Sequence, residues 1–158
     1  MTYSEWEARV PEAIRGDSVW QIEAYRLAML AADLGWEDVT AMLKDPRTRG
    51  LADQLYRSVG SISANVEEGC SRRTGKDRAR FYEYALGSAR EGRGWYYKGR
   101  CVLSEEAVAH RFGLLTSIVR LLLRMIPDQR RANYTVGEPT EPYGRLLEFD
   151  DDAPIPLT

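Results

Sequence analysis

At 158 residues, with 44% apolar and 29% charged residues, the chain can bury one sizeable core and is too short for two comfortable domains. A net charge of −2 excludes a strongly basic domain that would attract a polyanion through its global field. Cys70 and Cys101, 31 positions apart, match no common metal knuckle and read as reduced thiols of a cytoplasmic protein.

The opening "MTYSEWEARVPEAIRGD" lacks the apolar run of a signal peptide. Residues 1–16 read as an N-terminal extension of a helical turn or two, with Pro11 at a first helical position. Four apolar stripes then follow in residues 18–126, spaced by three and four, with no sustained period-two run, which predicts an all-α chain. The first is Trp20, Ala24, Leu27, Ala31 and Leu34, entered through Asp17 as N-cap. "WEDVTAMLKDPRTRG" reads as a short helix and a Pro-broken connection. Leu51, Leu55, Ser58/Val59, Ile62 and Val66 form the second stripe, ended by Gly69 as a C′ residue.

The third stripe is Phe81, Tyr84/Ala85, Ser88, Gly92, Trp95, Gly99 and Val102. The fourth is Val108, Phe112, Leu115, Val119, Leu122 and Ile126, capped by Ser104 and stopped by Pro127. Short connections predict an antiparallel, up-down-up-down four-helix bundle over residues 17–127. Residues 128–158 are Pro- and Asp-rich and without period, an extended acidic tail in which "YGRLLEF" is a candidate docking segment. Seven acids against three arginines give this tail a net of −4 and leave the rest of the chain near +2.

The fourth helix carries a second stripe, Leu114, Ile118, Leu121 and Met125, beside the first. The two together cover roughly 200° of its circumference, against about 100° for a helix facing one core. Either the N-terminal segment or another subunit must cover the surplus. The sequence reading favours a subunit, because four exposed large apolar side chains invite aggregation. "FGLLTSIVRLLLRMI" is broken by Arg120 and Arg124 and too short to span a bilayer, so no membrane association is expected.

Catalytic chemistry finds few candidates. There is no G-x-S-x-G elbow, no Walker loop, a single histidine (His110) and no Glu-x-x-His, so no catalytic residue, metal or cofactor is expected. Glu68 and Glu91 are the carboxylates most able to face inward, and they read as salt-bridge partners. Asn65, beside Val66, reads either as a hydrogen bond to a neighbouring helix or as a ligand contact. Gly87, Gly92, Gly94 and Gly99 each cost about 1 kcal/mol in a helix relative to Ala, which suggests close packing.

The richest stretch is "RRTGKDRAR". Arg72, Arg73, Lys76, Arg78 and Arg80 stand within nine positions, opposed only by Asp77, at a helix–helix corner marked by Gly69, Thr74 and Gly75. Asp77 can cap the third helix there. Guanidinium groups beside helix N-terminal amides suit phosphate; the bland alternative is a solvated basic turn. Copies arranged in a ring would sum into a basic rim. Tyr96, Tyr97, Lys98 and Arg100 read as amphipathic cover further along the same helix.

"QLYRSVGSISANVEEGCSRR" followed by "RFYEYALGSARE" resembles the four-helix-bundle family that includes proteins encoded in intervening sequences of bacterial 23S rRNA genes. The residues carrying the resemblance are Gln54, Leu55, Arg57, Ser61, Ile62, Ala64, Asn65, Val66, Glu68, Gly69, Phe81, Gly87, Ser88 and Glu91. It covers residues 18–126. Glu67 replaces a usual small residue, and Gly92 a usual apolar one. The resemblance implies a non-enzymatic antiparallel bundle that forms homopentameric rings. A related branch resembles the accessory protein of diversity-generating retroelements, which partners a reverse transcriptase and nucleic acid.

Two functions are therefore expected. One is a non-catalytic oligomeric bundle that binds RNA, DNA or a nucleic-acid enzyme through Arg72, Arg73, Lys76, Arg78 and Arg80, with Leu114, Ile118, Leu121 and Met125 between subunits. The other is a protein-interaction scaffold that docks partners through the acidic tail.

Overall fold

In the computed structural model, which describes residues 1–131 and 153–156, every regular element is helical. The N-terminal extension folds as α1 (Tyr3–Arg9) and α2 (Glu12–Arg15). Thr2 and Glu5 form a reciprocal capping box at the start of α1, and Pro11 stands at the N-cap of α2. Four long helices follow: α3 (Glu23–Met42), α4 (Arg49–Cys70), α5 (Gly75–Gly99) and α6 (Glu105–Arg131). Helix α4 packs on α3 and α5, and α6 on α5 and, less extensively, α3. Their apolar faces share one core with Trp6 of α1 and with Ile155.

Asp17 caps a single 3-10 turn, Ser18–Gln21, and α3 starts after it. Trp20, Ala24, Leu27, Ala31 and Leu34 are buried as expected, and a second row, Tyr25, Ala28 and Leu30, is buried with them. On the outer side of α3, the Trp6 indole N–H donates to Asp33 Oδ2 at 2.7 Å, so α1 lies across this helix. "WEDVTAM" is not a separate short helix, because α3 runs unbroken through it and buries Asp38, Val39 and Met42. Only at Pro46 does the chain turn, with the Asp45 carboxylate accepting from the Arg47 N–H at 2.9 Å.

The stripe of α4 is inward as expected, but Gly69 is not a C′ residue. The helix continues to Cys70 and its cap, Ser71, keeps a right-handed φ of −74°. Gly69 is needed for a different reason: a Cβ there would lie 2.7 Å from Tyr82 Cε1 and 2.9 Å from Cδ1. Gly69→Ala should therefore destabilise the protein by about 1–2 kcal/mol in urea denaturation, despite alanine's better helix propensity. At Gly87 a Cβ would meet nothing within 4 Å, so Gly87→Ala should stabilise by up to about 1 kcal/mol. Equal effects at the two positions would contradict the close approach of α5 to α4.

Helix α5 is rotated relative to its expected stripe. Tyr82, Ala85, Leu86, Ala89, Gly92 and Tyr96 face inward, while Tyr84 is exposed and Phe81, Ser88 and Trp95 are half-buried. The expected stripe leaned on the bulky aromatics. Where α4 approaches closely, the buried face carries small residues: a Cβ on Gly92 would stand 3.3 Å from Val59 Cγ1. Tyr96, expected as surface cover, is buried.

Two expectations about α6 are corrected. Pro127 does not stop the helix, which extends to Arg131. Proline removes the bond to the carbonyl four residues earlier, but that carbonyl belongs to Leu123, an exposed position where water can replace it. More consequentially, Leu114, Ile118, Leu121 and Met125 are 1, 0, 2 and 1% exposed within the single chain, so they offer no free face to a neighbouring subunit. The surplus stripe is thus covered within the chain itself.

The tail boundary shifts with the end of α6. "YGRLLEF" lies outside the described residues, but the segment beyond it returns to the body. Ile155 is buried in the core, and its N–H donates to the Met1 carbonyl at 2.7 Å.

Candidate functional site

The α4–α5 corner gathers the five expected cations. Thr74, not Asp77, is the N-cap of α5: its hydroxyl accepts from the Asp77 N–H at 3.1 Å and donates to Asp77 Oδ2 at 2.7 Å. Arg78 Nε donates to the Arg72 carbonyl at 3.1 Å, which ties the turn to the helix. Arg72, Arg73, Lys76 and Arg80 are exposed.

Two of these cations converge on one ring. The guanidinium carbons of Arg72 and Arg80 stand 4.7 and 5.4 Å from the centroid of Phe81. Tyr84 meets Phe81 edge-on with centroids 5.8 Å apart and is itself 53% exposed. Arg72 also pairs with Glu68 one turn before it on α4, and Arg130 at the end of α6 pairs with Glu83. Such exposed pairs contribute at most about 1 kcal/mol, so they leave the cations available to a polyanion. The corner thus joins positive charge to aromatic surface, a combination that suits phosphates and unstacked rings.

The remaining motif residues serve the helices themselves. Asn65 Nδ2 donates to the Ser61 carbonyl at 2.7 Å, within its own helix and not to a neighbour, while Ser61 Oγ donates to the Arg57 carbonyl at 2.7 Å. Gln54 is half-buried. Glu68 and Glu91 face solvent and not the interior; Glu91 Oε1 accepts from the Trp95 indole at 3.1 Å. Among the described residues no group of three or more His, Cys, Asp or Glu could hold a metal, and no helix is long and apolar enough to cross a membrane.

The most highly organised polar cluster was missed by the sequence reading. Asp38 of α3 and Arg111 of α6 are 0 and 1% exposed and meet fork to fork: Nε to Oδ2 at 2.9 Å and Nη2 to Oδ1 at 3.1 Å. Tyr96 of α5 donates its hydroxyl to Oδ2 at 2.6 Å. Burial, with the Asp38 charge beside it, pushes the Tyr96 phenol well above 10, so it stays protonated and donating. Arg111 Nη1 donates to the Pro156 carbonyl at 3.0 Å and to His110 Nδ1 at 3.0 Å. An arginine can only donate, so Nδ1 is the acceptor and the imidazole proton sits on Nε2. Burial, then the Arg111 cation, holds His110 down at about 4, so it is neutral near pH 7.

A signal for this cluster did exist. Asp38 stands between Leu34 and Met42 at four-residue spacing, and Arg111 between Ala107 and Leu115. Charges inside an apolar stripe are buried and need partners.

A protein-family model described as 23S rRNA-intervening sequence protein matches residues 21–124, more than half of the chain. No curated protein and no solved structure matches. The matched span contains the four helices from α3 nearly to the end of α6, the basic corner and the Asp38–Tyr96–Arg111 cluster.

Proposed function

Because the chain belongs to the 23S rRNA-intervening sequence protein family, we propose that it is a non-catalytic helical protein that binds RNA or DNA, or a nucleic-acid enzyme such as a reverse transcriptase, through the α4–α5 corner. The observation that carries this reading is the convergence of Arg72 and Arg80 on Phe81, with Arg73 in the connecting turn and Lys76 and Arg78 in the first turn of α5. Reversing Arg72 and Arg73 to Glu should weaken binding of a short RNA or DNA oligonucleotide by at least about tenfold at low salt. Far-UV dichroism should stay unchanged, since both side chains are exposed. Equal binding by the variant would remove the corner from the function.

In this reading the four long helices form an antiparallel, up-down-up-down bundle. Arg130 near the end of α6 reaching Glu83 near the start of α5 supports it, as does the level at which Tyr96, Asp38 and Arg111 meet. The reading retains a cytoplasmic homo-oligomer, pentameric by family resemblance, with the contact moved off Leu114, Ile118, Leu121 and Met125. Trp36 and Tyr56, edge-on at 5.7 Å and both exposed, together with exposed Leu43 at the C-cap of α3, offer apolar surface for it.

The alternative is a scaffold that docks partners through its acidic tail. It is favoured by one observation, that the far end of the tail already seats an apolar residue, Ile155, on a folded surface. Deleting residues 132–158 would then abolish partner capture and leave oligonucleotide binding intact.

A further inference from the structure

Tyr84 stands outside the core: its ring is 53% exposed, while Tyr82 and Ala85 of the same helix are buried. A lone exposed tyrosine would carry no message. This one belongs to an ordered set. It meets Phe81 edge-on, with the two planes at 89°. Phe81 is itself anchored, half-buried and so close to α4 that a Cβ on Gly69 would stand 3.2 Å from its own Cβ. Because Arg72 and Arg80 lie over the Phe81 ring, both cations are one ring removed from Tyr84.

The charge around this ring is positive. Residues 68–84 hold five cations against three carboxylates. Glu68 is met by Arg72, Glu83 by Arg130 of α6, and Asp77 accepts from the Thr74 hydroxyl. Arg73, Lys76 and Arg80 remain exposed on the same corner.

Cations alone do not tell a single strand from a duplex, since both present phosphates. A ring does. In a duplex the base faces are stacked on one another, and only a single strand can turn a base out onto an aromatic face. Tyrosine suits that task because it has two side-chain torsions, and the contact with Phe81 holds the ring before a ligand arrives.

The geometry points to single-stranded nucleic acid as the ligand of this corner, with one base stacked on Tyr84 and Arg72 and Arg80 on the phosphates beside that base. This rests on the reading of the corner as a nucleic-acid site, and adds to it a ligand class and an uncharged binding residue. Phe81 supports Tyr84 and does not itself stack, since two guanidinium groups already lie over its ring. A guanidinium on an aromatic face keeps its N–H edge for a phosphate.

The test is fluorescence anisotropy of the full chain with two labelled probes at about 50 mM salt. One is an oligothymidylate of about twelve nucleotides, the other a hairpin duplex of about twelve base pairs. Tyr84→Ala should weaken binding of the oligothymidylate by about tenfold and leave the duplex within about twofold of the unaltered chain. Tyr84→Phe keeps the ring and should bind the oligothymidylate as the parent does. Tyr84→Leu keeps apolar bulk without a ring and should resemble Tyr84→Ala. The salt slope should be unchanged in all three, because no phosphate contact is lost, whereas reversing Arg72 and Arg73 to Glu weakens both probes and flattens it. Undiminished single-strand affinity in Tyr84→Ala, equal losses on the two probes, or full affinity in Tyr84→Leu would each overturn the stacking role while leaving the corner a nucleic-acid site. Failure of the unaltered chain to bind either probe would remove that site and this inference with it.

Discussion

Asp38→Ala should lower the stability of the protein by about 3–5 kcal/mol in urea denaturation, because it strands the buried Arg111 guanidinium without its carboxylate. That is a large share of the roughly 5–15 kcal/mol that holds a domain of this size together. The loss has several parts. Arg111 Nε and Nη2 lose their acceptors, the Tyr96 hydroxyl loses its own, and the remaining donor contacts of Arg111 are to Pro156 and His110. Replacing both partners by apolar residues, Asp38→Leu with Arg111→Met, should cost far less than Asp38→Ala, since no charge is then left in the core. A loss below about 1 kcal/mol for Asp38→Ala would mean that the network is solvated and not buried.

The second large effect concerns α6. Leu121→Glu should abolish the cooperative thermal transition, because it forces a carboxylate into a position that is 2% exposed within one chain. Two positions on, Leu123 faces solvent, and Leu123→Glu should change stability by no more than about 0.5 kcal/mol. The wide apolar arc read as a subunit interface predicts the opposite outcome for Leu121→Glu, a soluble helical monomer. Light scattering coupled to size exclusion separates the two. A folded Leu121→Glu monomer from an oligomeric parent would restore that interface.

What the sequence disclosed and what it hid have physical reasons. The helical period was plain wherever one face alone is buried, as in α4, where Leu55, Val59, Ile62 and Val66 all point inward. It misled where two faces are buried. Both stripes of α6 are covered by the chain itself, and a count of apolar arc does not reveal whether the cover is a second helix or a second molecule. In α5 the close approach of α4 selects Ala85, Ala89 and Gly92 for the interior, so the large aromatics Phe81 and Tyr84 moved outward and drew the reading with them.

Glycine and proline do not end every helix in which they stand. Gly69 and Pro127 look like helix ends, yet one is small because Tyr82 leans on it and the other is tolerated on a wet face. The family was legible from the "SISANVEEG" and "GSARE" segments, and the basic corner from its composition. The burial of Asp38 and of Arg111 was legible from their apolar neighbours at four-residue spacing, but their pairing was not, because they are 73 positions apart and only folding joins them.

The proposed role of the α4–α5 corner is to hold nucleic acid through its cations. The direct test is the affinity of the unaltered full chain for a fluorescent single-stranded oligonucleotide, followed by anisotropy across a salt titration. Contacts from Arg72, Arg73, Lys76, Arg78 and Arg80 predict a slope of log K against log salt of about −3 to −4. A flat dependence, or no binding at about 50 mM salt, would contradict it.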